Sequence, residues 1–108
     1  MTRKVGAELM IETLRILGLL EAALRWVELR EVKYVLLYVS VARKLVKEGA
    51  LESIGDWVTV KEAVKKMTGA LKELRSGDLE FGAVLIEDAA ENLRRTANLL
   101  AEIAKRGD

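Results

Sequence analysis

Glu8, Glu12, Arg15, Gly18, Glu21, Arg25 and Glu28 recur at steps of three and four residues, and nearly everything between them is apolar or small. That spacing draws one narrow polar stripe along a helix. Leu9, Met10, Leu14, Ile16, Leu17, Leu20, Leu24 and Val27 spread over the remaining circumference. The apolar face is wider than a surface helix normally shows, so this helix is expected to touch neighbours on two sides.

The stretch that follows, VKYVLLYVSV at residues 32 to 41, carries the residues of a strand without its pattern. One parity reads Val32, Tyr34, Leu36, Tyr38, Ser40 and the other Lys33, Val35, Leu37, Val39, Val41, so neither face is polar. Helical spacing fits better: Lys33, Leu37, Ser40, the pair Arg43 and Lys44, and Lys47 fall along one stripe interrupted only by Leu37. A strand would also need a partner, and Phe81 to Ile86 is short and runs into a helical pattern. Residues 32 to 48 are therefore expected to be helical despite their valines, whose cost in helix propensity is tenths of a kcal/mol each. No Gly, Pro, Asn or Asp separates Gly18 from Gly49. Either the chain bends near residues 29 to 33, or one helix runs from about Ala7 to about Glu48, roughly 60 Å at 1.5 Å per residue.

Gly49 reads as a helix end, and GALESIGD, residues 49 to 56, is the substantial loop. TVKE at Thr59 to Glu62 has the form of a capping box. Val60, Val64, Met67, Leu71 and Leu74 then make an apolar seam; Ser76 and Gly77 end that helix, and Asp78 is placed to cap the next. In the last helix Ile86, Ala90, Leu93, Ala97, Leu100 and Ala104 repeat the seam. Acidic Asp78 and Glu80 stand at its start, and basic Lys105 and Arg106 at its end, as the helix dipole favours. Three or four helices with short connections make an all-α antiparallel bundle in one domain over residues 1–108 the expected architecture.

Composition narrows the chemistry. The 108 residues are 51% hydrophobic and 32% charged, with a net charge of +1. Cys, His, Pro and Gln are absent. Thiol nucleophiles, imidazole bases, disulfides and Cys/His zinc sites are thereby excluded, as is the Glu-x-x-His motif of di-iron carboxylate bundles. No cofactor is expected. Asn occurs only at Asn92 and Asn98 beside abundant Lys, Arg and Glu, which resembles thermophilic usage. Residues 1–20 carry Glu8, Glu12 and Arg15 and do not read as a signal peptide, and no uncharged apolar run is long enough to span a bilayer. A cytoplasmic setting without membrane contact is expected.

Three sets of residues are candidates for function. Lys61, Lys65, Lys72 and Arg75 share one face of the third helix, extended by Arg43, Lys44 and Lys47, and such a ridge tracks a phosphate backbone. No aromatic residues interleave with it, and overall charge is nearly balanced, so nucleic acid is the second choice of partner. Glu28 with Glu31 and Asp88 with Glu91 form two carboxylate pairs able to hold Mg²⁺. This E-x-x-E spacing resembles the all-α nucleotide pyrophosphohydrolases. That resemblance implies metal-dependent nucleotide hydrolysis as a distant third function, although the second E-x-x-D of that family and its lysine-rich phosphate motif have no counterpart here.

The third set is apolar. Two helices greasy around most of their circumference exceed what one small bundle covers, and exposed patches beyond a few hundred Å² are rare on soluble monomers. A self-associating, non-catalytic structural or adaptor protein is the favoured reading, most economically a homodimer, with another protein as an alternative partner. Its interface is expected at Leu17, Leu20, Leu24, Tyr34, Leu36, Tyr38 and Val39, where aromatic anchors and aliphatic side chains cluster. Joint substitution Leu36→Glu and Val39→Glu is expected to separate subunits while preserving helix content.

Overall fold

The question of one helix or two is settled at Arg30, which takes the left-handed conformation at φ 57° and turns the chain without glycine or proline. The computed structural model describes residues 1–106 and gives helices α1 (Arg3–Glu28), α2 (Val32–Glu48), α3 (Val58–Arg75) and α4 (Leu79–Arg106), with a short 3-10 helix at Ala50–Ile54. None of the described residues forms a strand.

The same turn joins α1 to α2 and α3 to α4. After α1, the Arg30 amide donates to the Val27 carbonyl (2.9 Å) and the Glu31 amide to that of Trp26 (3.0 Å). After α3, Gly77 donates to Leu74 (3.2 Å) and Asp78 to Glu73 (2.9 Å). Both are Schellman closures, which satisfy carbonyls that a helix end leaves open and need a left-handed residue at the turn. Gly77 meets that need freely at φ 92°; Arg30 meets it with its Cβ crowding the backbone. Asp78 then accepts from the Phe81 amide at 2.9 Å and caps α4, whereas Glu31 makes no side-chain cap for α2. The first turn is thus the weaker copy of the second. Arg30→Gly is expected to raise stability by about 0.5 to 1 kcal/mol, because the exposed Arg30–Glu80 ion pair that it sacrifices contributes little. Urea unfolding midpoints measure this, and a lowered midpoint would show the ion pair or the Arg30 stem to matter more than the backbone.

α2 ends at Gly49, where an added Cβ would stand 2.5 Å from the Leu45 carbonyl oxygen. The capping box expected at Thr59 to Glu62 is not formed. The Trp57 amide closes the preceding turn on the Ile54 carbonyl (3.0 Å), so α3 starts two residues earlier, with Trp57 at the cap position and no side-chain bond there. Thr59 is used elsewhere. Its hydroxyl lies 2.8 Å from that of buried Thr96, which is 2.9 Å from the Asn92 carbonyl. With one proton each, Thr59 donates to Thr96 and Thr96 to the carbonyl.

Each helix packs antiparallel on the next, and α4 closes the bundle on α1. The seams read from the sequence face inward: Val60, Met67, Leu71 and Leu74 on α3 and Ile86, Ala90, Leu93, Ala97 and Leu100 on α4 are buried, with Val64 and Ala104 half-buried at the edge. α1 and α4 are longer than their partners. Their free ends pair with each other, where Arg3 Nε donates to the Ala104 carbonyl at 3.0 Å. Leu51 and Ile54 of the 3-10 helix are buried and complete the core beside α1 and α2. The result is a rod of 48 × 22 × 19 Å.

Candidate functional site

Bundle geometry decides which side chains remain for function. Leu20 and Val39 have no exposed surface and Leu17 keeps 7%, so these three expected interface residues belong to the chain's own core. Leu24, Leu36 and Tyr38 are half-buried against that core. Tyr34 alone of the set is exposed, its ring tilted on Trp26 at a centroid distance of 4.7 Å.

A different apolar set is left in water. Ile11, Leu14, Gly18, Ala22, Arg25 and Leu29 follow steps of three and four along the outward side of α1, and all but half-buried Ala22 are exposed. Tyr34, Leu37 and Val41 are exposed on the adjoining side of α2. Ala22, Arg25, Trp26, Leu29 and Tyr38 line one shallow groove between the two helices, which makes the two stripes a single face. The polar stripe of α1 was a misleading guide to this face. Its steps average fewer than 3.6 residues, so it winds around the helix. Glu12 ends only 23% exposed, while Glu21 reaches Arg94 of α4 at 3.9 Å. Ile11 and Leu14 occupy the outward surface that the stripe vacates.

The basic residues gather on the neighbouring face. α2 and α3 together hold nine cations against Glu48, Glu62 and Glu73. Lys61, Lys65, Lys72 and Arg75 are all exposed on α3. Lys47 and Lys61 line one cleft with Glu52, and Arg43 Nε donates to Thr68 Oγ1 at 2.8 Å, which ties the α2 cations to the α3 row. The net charge of +1 conceals this segregation, since acids outside the four helices, such as Glu31, Glu52, Asp56 and Asp78, offset most of the excess.

The four candidate metal ligands do not converge. Glu28 ends α1 and Glu31 lies outside both helices, so their E-x-x-E straddles a turn. Glu80 is level with Arg30 at that turn, and Asp88 lies about 12 Å further along α4. There Asp88 pairs with Lys66 (3.6 Å), and Glu91 with Arg94 and Arg95 (3.5 Å each). Among the described residues no three carboxylates are placed to share a metal ion. None of the described helices is long and apolar enough to cross a membrane. Comparison of the chain with protein-family models, with curated proteins and with solved structures finds no match.

Proposed function

We propose that the chain works by association, as a structural or adaptor subunit that pairs with a second copy of itself through the outward face of α1 and α2. The observation that carries this reading is the exposure of Ile11, Leu14, Leu29, Tyr34, Leu37 and Val41, each between 40 and 66% accessible, on that one face. They leave roughly 600 Å² of apolar side chain in water, the upper end of what a soluble monomer tolerates in one patch. With the stems of Arg15 and Arg25 around them, the face approaches the ~800 Å² per partner of a standard stable interface.

A second copy suits this face because an isologous contact sets the same patch against itself and covers both surpluses at once. Gly18 supports a close crossing. It is exposed at the middle of the α1 stripe, and a Cβ built there meets nothing within 4 Å. Two backbones can therefore approach where Gly18 and Ala22 leave room, with Ile11, Leu14 and Leu29 to either side.

That glycine supplies the test. Within a single chain Gly18→Leu fills empty space and removes a mid-helix glycine, so thermal stability of the monomer is expected to rise by about 0.5 to 1 kcal/mol. Across a close crossing the same leucine is an obstruction, and self-association is expected to weaken at least tenfold. Light scattering over a range of concentrations, paired with thermal melts, reads both effects. A wild-type chain that stays monomeric to millimolar concentration would refute the proposal, as would a Gly18→Leu dimer as tight as the wild type.

A further inference from the structure

We propose that the α2/α3 face is a docking surface for the phosphate backbones of double-stranded nucleic acid, bound without regard to base sequence. The argument is independent of self-association. Lys33, Lys44 and Lys47 on α2 and Lys61, Lys65, Lys72 and Arg75 on α3 have no ion-pair partner among the described residues. Among the other cations Arg15, Arg30, Lys66, Arg94, Arg95 and Arg106 have one, and Lys4, Arg25 and Lys105 on α1 and α4 have none. Seven cations left without a carboxylate on two adjacent helices, against these three elsewhere among the described residues, mark a surface complementary to a polyanion.

The shape selects a duplex. Lys47 and Lys61 meet in one cleft, and the same number of residues separates Lys47 from Lys33 as Lys61 from Arg75. Because α2 and α3 run antiparallel, the cations form two straight rows, each roughly 21 Å long at 1.5 Å per residue. Packed helices lie about 8 to 10 Å apart, so the rows are separated by a distance between the widths of the two grooves of B-DNA, about 6 and 12 Å. A stiff duplex can present phosphates of both strands to such a double row without bending.

Residue chemistry disfavours closer reading of the bases. Six of the seven cations are lysines, which act as point charges; the one arginine, Arg75, ends α3, the chain has no Gln, and both Asn residues are on α4. Single strands are held by stacking, but Tyr34 and Tyr38 lean toward Trp26 on the α1 side. A bilayer surface would need apolar side chains between the lysines of both rows to insert, and only the α2 row has one, at Leu37. On α3 the positions between Lys65 and Lys72 that reach the surface are Lys66, Thr68 and Gly69.

Fluorescence anisotropy of a labelled duplex, titrated with the protein between about 50 and 200 mM salt, tests the proposal. Binding is expected to be indifferent to sequence, with log K falling linearly in log salt at a slope near −5, about 0.9 for each phosphate neutralised. Lys61→Gln, Lys65→Gln and Lys72→Gln together are expected to flatten that slope by about 3 and to weaken binding roughly 100-fold at low salt. Arg94→Gln, Arg95→Gln and Arg106→Gln change net charge equally from α4 and are expected to leave binding nearly unaltered. All six positions are exposed, and circular dichroism verifies that both variants keep their helices. No binding at the lowest salt, equal loss in the two triple variants, tighter binding to a single strand, or binding to phosphatidylserine vesicles but not to the duplex would each overturn the assignment.

Discussion

Val39→Glu is expected to unfold the chain. Val39 has no exposed surface and packs in the core cluster with Val35, Ala42 and Val46 of its own helix and with residues of every other helix. A carboxylate there has no cation inside the core to pair with, since among the described residues the only buried polar side chains are Thr13 and Thr96. Burying it unpaired, or protonating it to avoid the charge, costs on the order of 5 kcal/mol, as much as the whole stability of a small domain. Leu37, two positions earlier, is 54% exposed, and Leu37→Glu is expected to change stability by less than about 0.5 kcal/mol. Far-ultraviolet circular dichroism of the two variants makes the comparison. A helical, cooperatively melting Val39→Glu protein would show that α2 does not face the core as described. The Leu36→Glu and Val39→Glu pair that the sequence recommends for separating subunits therefore tests folding instead, and Leu37 is the position at which a charge reports on association alone.

Leu20→Ala is expected to lower stability by about 3 kcal/mol and the melting temperature by about 12 °C. Leu20 is fully buried on α1, the helix that contacts α2, α4 and the 3-10 helix. Truncation leaves a cavity that those neighbours cannot all relax into, because each is held by its own packing on the others. Leu14→Ala removes the same atoms from a side chain 49% exposed and is expected to cost little in the monomer. Chemical denaturation of the two variants separates core from surface on one helix. Equal costs at Leu20 and Leu14 would mean that Leu14 is covered in solution, which is what association through this face requires.

Where one face of a helix repeats cleanly, the fold is legible without coordinates. The α3 seam from Val60 to Leu74 and the α4 seam from Ile86 to Leu100 alternate steps of four and three, and burial follows them because a single stripe can face only one core. The Ser76-Gly77-Asp78 turn is legible for the same kind of reason, since glycine and aspartate advertise the left-handed residue and the cap. Leu29-Arg30-Glu31 builds the same turn from residues that advertise nothing, so the sequence left open whether the chain bends there or one helix runs on. The basic candidates were also legible: Lys61, Lys65, Lys72 and Arg75 are exposed on one helix, as their spacing implies.

By itself the sequence determined the helical class, the inward seams of the last two helices and the exclusion of cysteine and histidine chemistry, because these depend on residue identity and on local periodicity. Only the tertiary structure decided which apolar residues were surplus. Leu17, Leu20 and Val39 were drawn into the core, and Ile11, Leu14, Leu37 and Val41 were left outside. A residue on a helix that is apolar nearly all round is assigned to core or surface by where the neighbouring helices lie, and that is a property of the packed bundle. The alignment of α2 cations beside those of α3 has the same origin: two rows distant in the sequence become one charged face only when the chain folds back at residues 49–57.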